Sequence, residues 1–417
     1  MKKRITVLCI FALLILMLIS CNKEQGIHKP ENSIDATEHG VLTENSGKEN
    51  SKNLQSLIDS LSEKGGTIYI PSGEYEFAEN GTQTIGSHCI KMKSGVSIVG
   101  DGENTVLKPK GNSKYGLDMF YFNDYLDTGE GKYLENCRFE RFSIDASATS
   151  CEVYTSAGKG FMFNLFRNCQ WDEVTVKNTD ATGFGVDCPI NSSIKNCLAI
   201  GCGKAASEEN GGASGFGIGF GYSDGESITI SECISKNNKK FGFFFEHQGR
   251  FNSQKYTATS SHDFLVSNCN ASGNLYNFGG IYAMNTEYSH CTSEGARKHG
   301  FYFESSLASG ATLCESKSET DAAFAISQVG EYSVCGIYFE KCSALGSPIG
   351  VKVVSEGTAT MSDNSVKNCS FEGISDYAVY TSGRISSLTL FNNSSDMNVN
   401  YFEAEISAFE NAENSWN

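Results

Sequence analysis

The sequence is poor in proline and tryptophan and has no basic stretch. Of its 417 residues, 5 are proline and 2 are tryptophan, and 33 Lys and Arg face 49 Asp and Glu, for a formal net charge of −16. This acidity argues against nucleic acid or an anionic lipid surface as the main partner. Hydrophobic residues make up 39% and charged residues 20% of the chain, a balance that excludes global disorder. Beyond residue 19, no apolar run is long enough to cross a bilayer.

The chain begins with a targeting signal. A basic start at residues 2–4 precedes an apolar run at residues 5–19, which is too short for a comfortable membrane span. The run ends in Ser20-Cys21 and resembles the lipobox of bacterial lipoproteins. The resemblance implies a signal peptide over residues 1–20 and a lipid on Cys21, with an uncleaved anchor as the alternative. It also implies an outer-membrane lipoprotein on the periplasmic or cell-surface side, because Asn22 is not the Asp that retains such proteins at the inner membrane.

The domain boundaries follow from a change in pattern. Residues 21–51 are polar and aperiodic and are predicted to form a flexible tether, and residues 52–417 are predicted to form one domain. That domain opens with a helix at 53–61, a Gly-Gly stop and a strand that ends in a Pro-Ser-Gly turn. Together with Gly-Val-Ser-Ile-Val-Gly-Asp-Gly at 95–102, this entry resembles the pectate lyase superfamily, in its rhamnogalacturonase/epimerase-like group. The resemblance implies a parallel β-helix that acts on polysaccharides.

A cysteine-containing unit recurs through the rest of the chain at steps of 22 to 36 residues. Its cysteines are Cys137, Cys169, Cys197, Cys233, Cys269, Cys291, Cys314, Cys342 and Cys369. Between them lies a second unit, a small residue followed by alternating apolar residues. Repeats of this length with short strands indicate a solenoid whose stacked coils share one core. We therefore predict an all-β fold, a right-handed single-stranded parallel β-helix with a short N-terminal capping helix.

The cysteines of an exported protein would ordinarily form disulfides. Of the 16 cysteines, Cys9 falls in the signal peptide and Cys21 in the lipobox, and nine of the remaining 14 hold one position in the repeat. This regularity favours a reduced ladder of small buried side chains. A bridge between Cys188 and Cys202 stays open. No cysteine or histidine spacing is typical of a zinc site, so no metal site is predicted.

Strand alternation predicts which side chains face outward on successive coils. One outward position is predicted to hold Asp187, Gly221, Glu246, Met284 and Glu304. The outward position two residues earlier is predicted to hold Gly185, Gly219, Phe244, Tyr282 and Tyr302. Such a strip combines glycine, aromatic rings and carboxylates, which suits a sugar polymer lying across the strands.

The carboxylates of this strip suggest catalysis. Carboxylates two coils apart would have backbones roughly 9–10 Å apart, close to the spacing of about 6.5–9.5 Å that inverting glycosidases use. His247 and Arg250 follow Glu246, and this segment loosely resembles the Tyr-Gly-Phe-Asp-Pro-His motif of mannuronan epimerases. The predicted catalytic residues are Glu246, Asp187, Glu304, His247 and Arg250. The predicted substrate-binding residues are Phe244, Tyr282, Tyr302 and Asn285.

Three functions are compatible with these residues. The first is a polysaccharide-degrading glycoside hydrolase that uses paired carboxylates. The second is a uronate lyase or epimerase, in which calcium could assist, although no cofactor is otherwise expected. The third is a non-catalytic surface protein that binds glycans, or an adhesin. In each case the expected partner is a polysaccharide, the protein is expected to be a monomer, and the membrane is reached only through the lipid.

Overall fold

The computed structural model describes residues 29–83, 85–209, 212–248, 262–396 and 401–416. The predicted signal peptide, the predicted lipidation site Cys21 and the predicted catalytic residue Arg250 lie outside these residues. Two α-helices, α1 at Gly47–Leu61 and α2 at Asp124–Thr128, and two 3-10 helices, at Ala36–His39 and Gly102–Asn104, accompany the strands. Within the described part of the chain, no helix is long and apolar enough to span a membrane.

Fourteen strands form the sheet that carries the candidate site, which we call the groove sheet. In chain order they are β1 Gly81–Gln83, β2 Gly86–Lys91, β3 Leu117–Asn123, β4 Leu134–Glu135, β5 Phe161–Arg167, β6 Phe184–Ile190, β7 Phe216–Phe220, β8 Phe241–His247, β9 Tyr276–Ile281, β10 His299–Glu304, β11 Ala322–Gln328, β12 Ile349–Ser355, β13 Tyr377–Ser382 and β14 Tyr401–Phe402. Apart from the antiparallel pair β1–β2, neighbouring strands are parallel.

A second, larger sheet of 25 strands runs along the rest of the coils. Its strands are Ile34–Asp35, Gly66–Tyr69, Gly73–Phe77, Val96–Val99, Thr105–Pro109, Arg138–Asp145, Gln170–Lys177, Ser192–Lys195, Leu198–Ile200, Ser227–Ser231, Ile234–Lys236, Asp263–Ser267, Asn270–Ser272, Thr286–Ser289, Thr292–Glu294, Gly310–Thr312, Glu315–Lys317, Tyr338–Glu340, Ser343–Leu345, Asn364–Lys367, Ser370–Glu372, Arg384–Phe391, Ser394–Ser395, Glu405–Ala412 and Ser415–Trp416. Two short strand pairs, Gly111–Ser113 with Thr149–Cys151 and Val334–Cys335 with Met361–Ser362, complete the fold. The predicted right-handed parallel β-helix is confirmed.

A stack of phenylalanine rings holds the coils in register inside the solenoid. One ring from each of six consecutive strands, β6 to β11, joins the stack, and neighbouring ring centroids lie 4.7 to 5.3 Å apart. The rings are Phe184, Phe216, Phe243, Phe278, Phe301 and Phe324. Since each ring packs face to face on the next, a shift of one strand by a single residue would break the stack and expose apolar surface.

The cysteines form the second internal ladder. All nine repeat cysteines are buried, and no disulfide joins any of the cysteines that the structure describes. Within the ladder, the backbone N–H of Cys197 donates to Cys233 Sγ at 3.4 Å, and that of Cys291 donates to Cys314 Sγ at 3.3 Å. The interpretation of these cysteines as a ladder of small buried side chains is confirmed, and their reduced state stays a prediction.

The folded domain begins earlier than predicted. The strand Ile34–Asp35 pairs with Ile68–Tyr69, and α1 begins at Gly47 rather than after residue 52. Ser46 and Glu49 form a capping box, in which the Ser46 side chain accepts from the Glu49 N–H and the Glu49 carboxylate accepts from the Ser46 N–H. The tether predicted over residues 21–51 is therefore too long, because this capping signal falls within it.

Candidate functional site

Two columns of side chains run across the outer face of the groove sheet. One residue each from β6 to β10 forms a first column, the carboxylate column, in which register aligns the residues of β7 to β10 and a hydrogen bond from Gly219 N–H to Asp187 Oδ1 joins β6. It consists of Asp187, Gly219, Glu246, Ile281 and Glu304. The second, the aromatic column, consists of Gly185, Gly217, Phe244, Gly279 and Tyr302. The predicted alignment of the three carboxylates at one outward position is thus observed.

Other members of the predicted strip are misplaced. Gly221 and Met284 do not lie in the carboxylate column, and Tyr282 does not lie beside Tyr302 in the aromatic column. Gly219, predicted beside Phe244, lies beside Glu246 instead. The sequence comparison had aligned the glycines of successive repeats, but the buried phenylalanine stack sets the register instead. Phe278 stacks on Phe301, so that Gly279 rather than Tyr282 stands opposite Tyr302.

Asp187 and Glu246 meet in a cavity of about 190 Å³ on this face. The lining residues are Ser156, Lys159, Thr182, Gly185, Asp187, Gly212, Gly217, Ile218, Gly219, Phe244, Glu246 and Gln248. Asp187 is buried, and its Oδ1 accepts the backbone N–H of Gly219 at 2.8 Å. Glu246 is half-buried, and its Oε2 accepts from Gln248 Nε2 at 3.3 Å. The two carboxylates therefore flank Gly219, and the absent side chain of this glycine leaves room for the Gln248 side chain above it.

The sequence analysis missed two polar residues of this cavity. Gln248 lies over Gly219, since a Cβ built on that glycine would be 2.6 Å from Gln248 Nε2. Lys159 lies over Gly185, where a Cβ would be 2.9 Å from Lys159 Nζ. Lys159 belongs to an insertion between two coils. The irregular spacing of the repeats along the sequence is the signal from which this insertion could have been predicted.

Aromatic rings extend the site toward the later coils. Phe244 stacks on Phe241 at 4.4 Å between ring centroids, Phe241 packs on Tyr276 at 4.8 Å, and Tyr276 stacks on Tyr302 at 4.5 Å. Beyond them is a second cavity of about 270 Å³, lined by Tyr302 and Glu304 among others. Together these rings form an apolar platform between the two cavities.

Glu304 differs in its surroundings from the other two carboxylates. Its Oε2 accepts a hydrogen bond from the Tyr302 hydroxyl at 2.6 Å, and burial together with this carboxylate raises the pKa of Tyr302. The residue between Glu304 and Glu246 in the column is Ile281, whose apolar side chain stands at the column position that a glycine, Gly219, holds next to Glu246 on the other side. Glu304 is therefore held by a tyrosine and separated from Glu246 by an apolar side chain.

The remaining predicted residues lie around this face. Tyr282 packs on Tyr332 with ring centroids 4.6 Å apart, and burial, with Glu304 nearby, raises its pKa. Asn285, with φ 49°, lies in the turn that leads to the second-sheet strand beginning at Thr286. Its backbone carbonyl accepts from a neighbouring coil at 3.4 Å, which indicates a role in the turn.

His247 lies away from the two carboxylates. It follows Glu246 in β8 and has the opposite strand parity, so that its ring packs on Phe220 at 5.3 Å and lies against Gly221. Burial lowers the pKa of His247. We therefore leave His247 out of the proposed catalytic pair.

Glu226 is a fully buried carboxylate that holds the loop after β7. It accepts hydrogen bonds from the backbone N–H groups of residues 221–223. Burial raises the pKa of Glu226 to about 7.

Among the residues that the structure describes, no group of three or more His, Cys, Asp or Glu side chains is arranged to hold a metal ion. The chemistry that these residues themselves offer is proton transfer by Asp187 and Glu246, and charge neutralisation by Lys159.

Comparison with known proteins identifies the fold. No protein-family model matches the chain, and no curated protein matches it. The A-module of the mannuronan C-5 epimerase AlgE4 of Azotobacter vinelandii matches with a TM-score of 0.61 and 15% identity, over 92% of this chain and 99% of that one. The family 28 exopolygalacturonase of Yersinia enterocolitica matches with a TM-score of 0.60 and 12% identity, over 91% and 78%.

A third structure, the catalytic domain of a GH87 α-1,3-glucanase, matches with a TM-score of 0.60 and 13% identity, over 94% of this chain and 69% of that one. At these identities the likeness concerns the fold alone. The chain is a right-handed parallel β-helix protein, as these structures are.

Proposed function

We propose that the chain is a carbohydrate-active β-helix enzyme that hydrolyses glycosidic bonds with Asp187 and Glu246. The observation that carries this proposal is the pair itself, two carboxylates on one face that stand two strands apart with a glycine between them. Neighbouring strands lie about 4.8 Å apart, which puts the two backbones roughly 9.6 Å apart. Side chains that lean together reach the spacing of about 6.5–9.5 Å with which inverting glycosidases admit a water molecule.

The surroundings of the two carboxylates suggest their roles. Asp187 is oriented by the Gly219 N–H, which suits a general base that positions a water. Glu246 lies beside Phe244 on the same cavity wall, which suits the general acid. Phe244 lines the cavity of the pair and Tyr302 lines the second cavity, so their rings would border neighbouring sugar subsites. Glu304, held by Tyr302, is assigned to substrate binding.

The test is incubation of the protein with a panel of neutral and acidic polysaccharides, with products weighed by mass spectrometry. Hydrolysis adds one water to each product. Because a general acid or base contributes about 10²–10⁴-fold, Asp187→Asn and Glu246→Gln should each lower the rate by at least about 100-fold. Glu304→Gln is the matched control and should retain activity within about ten-fold. Equal losses in all three variants would contradict the assignment of the pair.

A second candidate is a uronate lyase or epimerase, and Lys159 is the observation that favours it. Its ammonium group lies over Gly185 in the same cavity, where it could neutralise a sugar carboxylate before proton abstraction. A lyase would form products that lack the added water, and calcium dependence would then be tested with a chelator. An epimerase would leave the chain length unchanged. Binding without any product would favour the glycan-binding protein.

We further propose that the enzyme is carried on the outer membrane by a lipid on Cys21. The lipobox-like end of the apolar N-terminal run supports this proposal. Metabolic labelling with a fatty acid should mark the wild-type protein but not Cys21→Ala, and the variant should leave the membrane fraction. Equal labelling of both proteins would contradict it.

A further inference from the structure

The outer face of the groove sheet is covered at one end. Register places Asn164 of β5 next to Asp187 in the carboxylate column, and Met162 next to Gly185 in the aromatic column. Asn164 is 0% exposed and Met162 is 4% exposed. Further along the carboxylate column, Glu246, Ile281 and Glu304 are all partly exposed. Along the carboxylate column, the groove that holds the candidate pair is therefore shut at β5 and accessible from β8 to β10.

The first cover is the segment 124–133, which includes α2. Helix α2 packs against β5 and is capped by Asn123, whose side chain accepts the Leu126 N–H at 3.0 Å. The end of the segment reaches the loop after β7, where the rings of Tyr133 and Tyr222 lie 6.4 Å apart. This cover thus crosses the sheet from β3 to β7 on the side where the strands end.

The second cover is the segment 151–160, which carries Lys159. The Thr155 hydroxyl lies 2.9 Å from each of two backbone carbonyls, those of Ile85 and Tyr115. Asp118 Oδ1 accepts from the Gly158 N–H at 2.8 Å and the Lys159 N–H at 2.6 Å, and Asp118 is fully buried. With so many fixed hydrogen bonds, the cover is a rigid part of the fold.

The candidate pair stands directly beside this closed end. Asp187 is one strand from the covered Asn164, and one strand spacing is about 4.8 Å. On that side of the pair, the sheet is therefore covered within about one strand spacing, which leaves room for at most one sugar unit. On the other side of the pair, the apolar platform and the second cavity continue along the sheet, with room for several sugar units.

We propose that the enzyme acts from a chain end, with the terminal sugar of the polysaccharide against the segments that cover Asn164 and Met162. This inference rests on the proposed hydrolysis by Asp187 and Glu246. Each turnover breaks one C–O bond of the terminal linkage and consumes one water. The OH of this water joins the anomeric carbon, and the leaving oxygen takes a proton from the general acid. The remaining proton of the water restores the one that the general acid lost. A rigid closed end beside the pair prevents a polymer from passing through, so that internal linkages cannot reach the two carboxylates.

The experiment follows the product lengths. Hexasaccharides of each glycan in the panel are labelled at the reducing end with a fluorophore and digested, and the polymers are followed by viscometry in parallel. We expect the enzyme to release products of one constant, short length. The viscosity of the polymer solution should fall only in proportion to the number of bonds cut. Random internal cuts with an early fall of viscosity would overturn chain-end action but leave hydrolysis standing. No cleavage of any glycan would overturn both.

A variant tests the role of the cover. Replacing residues 125–131 by a Gly/Ser linker of equal length removes α2 while leaving the carboxylate pair in place. If the first cover helps to close the groove, labelled products should then spread over several lengths, and internal cleavage should rise at least about ten-fold. Glu103→Ser/Asn104→Ser, in an exposed turn between strands of the second sheet, is the control and should keep the single step. An unchanged product pattern in a linker variant that unfolds cooperatively would contradict the role of the first cover, and the product pattern of the wild-type protein tests chain-end action itself.

Discussion

Gly219 is the position at which a single methyl group tests the carboxylate pair. Its φ is not in the left-handed region, so alanine fits the backbone. A Cβ at this position, however, would be 2.5 Å from Asp187 Oδ1 and 2.6 Å from Gln248 Nε2, closer than real Cβ contacts. Both side-chain ends must therefore move by roughly 0.5–1 Å, and a misplacement of about 1 Å can cost about 100-fold in rate.

The expected result of Gly219→Ala is loss of activity with the fold retained. We predict a fall of about 100-fold in kcat/KM on the glycan that the wild-type protein cleaves. The free energy of unfolding should change by less than about 1 kcal/mol, because alanine also lowers the entropy of the unfolded chain. Gly217→Ala is the matched control on the same strand, since its Cβ would be 3.1 Å from Thr182 Cγ2 and 3.7 Å from the Thr182 hydroxyl.

The assay is initial rates for both variants and the wild-type protein, together with urea unfolding followed by circular dichroism. Gly217→Ala should keep its rate within about ten-fold. The reasoning would be refuted by a Gly219→Ala protein that is as active as the wild type, because the space between the two carboxylates would then be irrelevant to the chemistry. A Gly219→Ala protein that is inactive because it is unfolded would show itself in the unfolding curve.

Three further predictions concern pH, thiols and the Tyr302–Glu304 pair. Burial lowers the pKa of His299 to about 3, so that below pH 6.5 this histidine binds a proton in the unfolded chain but not in the folded chain. Its contribution to the free energy of unfolding should therefore fall by about 3 kcal/mol between pH 6.5 and 4. In urea titrations, His299→Gln should remove that fall. Of the fourteen cysteines between residues 89 and 369, only Cys151 and Cys335 are partly exposed, and an Ellman titration should modify these two in the native protein and the others only on unfolding. Tyr302→Phe removes the hydrogen bond to Glu304 and should cost about 1 kcal/mol of stability without changing the masses of the products.

The fold could be predicted because its signals are local and repeated. The spacing of the recurring cysteines and of the small-residue turns indicates the coil length directly. All nine of those cysteines are buried in the structure. The capping box at Ser46 is also local, yet it was missed because residues 46–51 are polar and lack the apolar periodicity that marked the helix at residues 53–61.

The candidate site was predicted only in part. The alignment of the three carboxylates was predicted correctly because the repeat comparison misplaced only the intervening strands β7 and β9. Tyr282 was misplaced because aligning the glycines of the repeats gives the wrong register for β9. The register of β9 is set instead by Phe278, which stacks on Phe243 and Phe301. Core packing between coils decides such a shift, and a single repeat does not contain that information.

The sequence by itself determined the class of fold, the outward parity of Asp187, Glu246 and Glu304, and the buried cysteine ladder, because each depends on a period of two within a strand or on the repeat from coil to coil. Only the tertiary structure decided that Gly219 separates Asp187 from Glu246, that Lys159 lies over Gly185, and that the groove is closed at Asn164. These three depend on contacts between residues that are distant in the chain, where the register of stacked coils and the path of two insertions set the geometry.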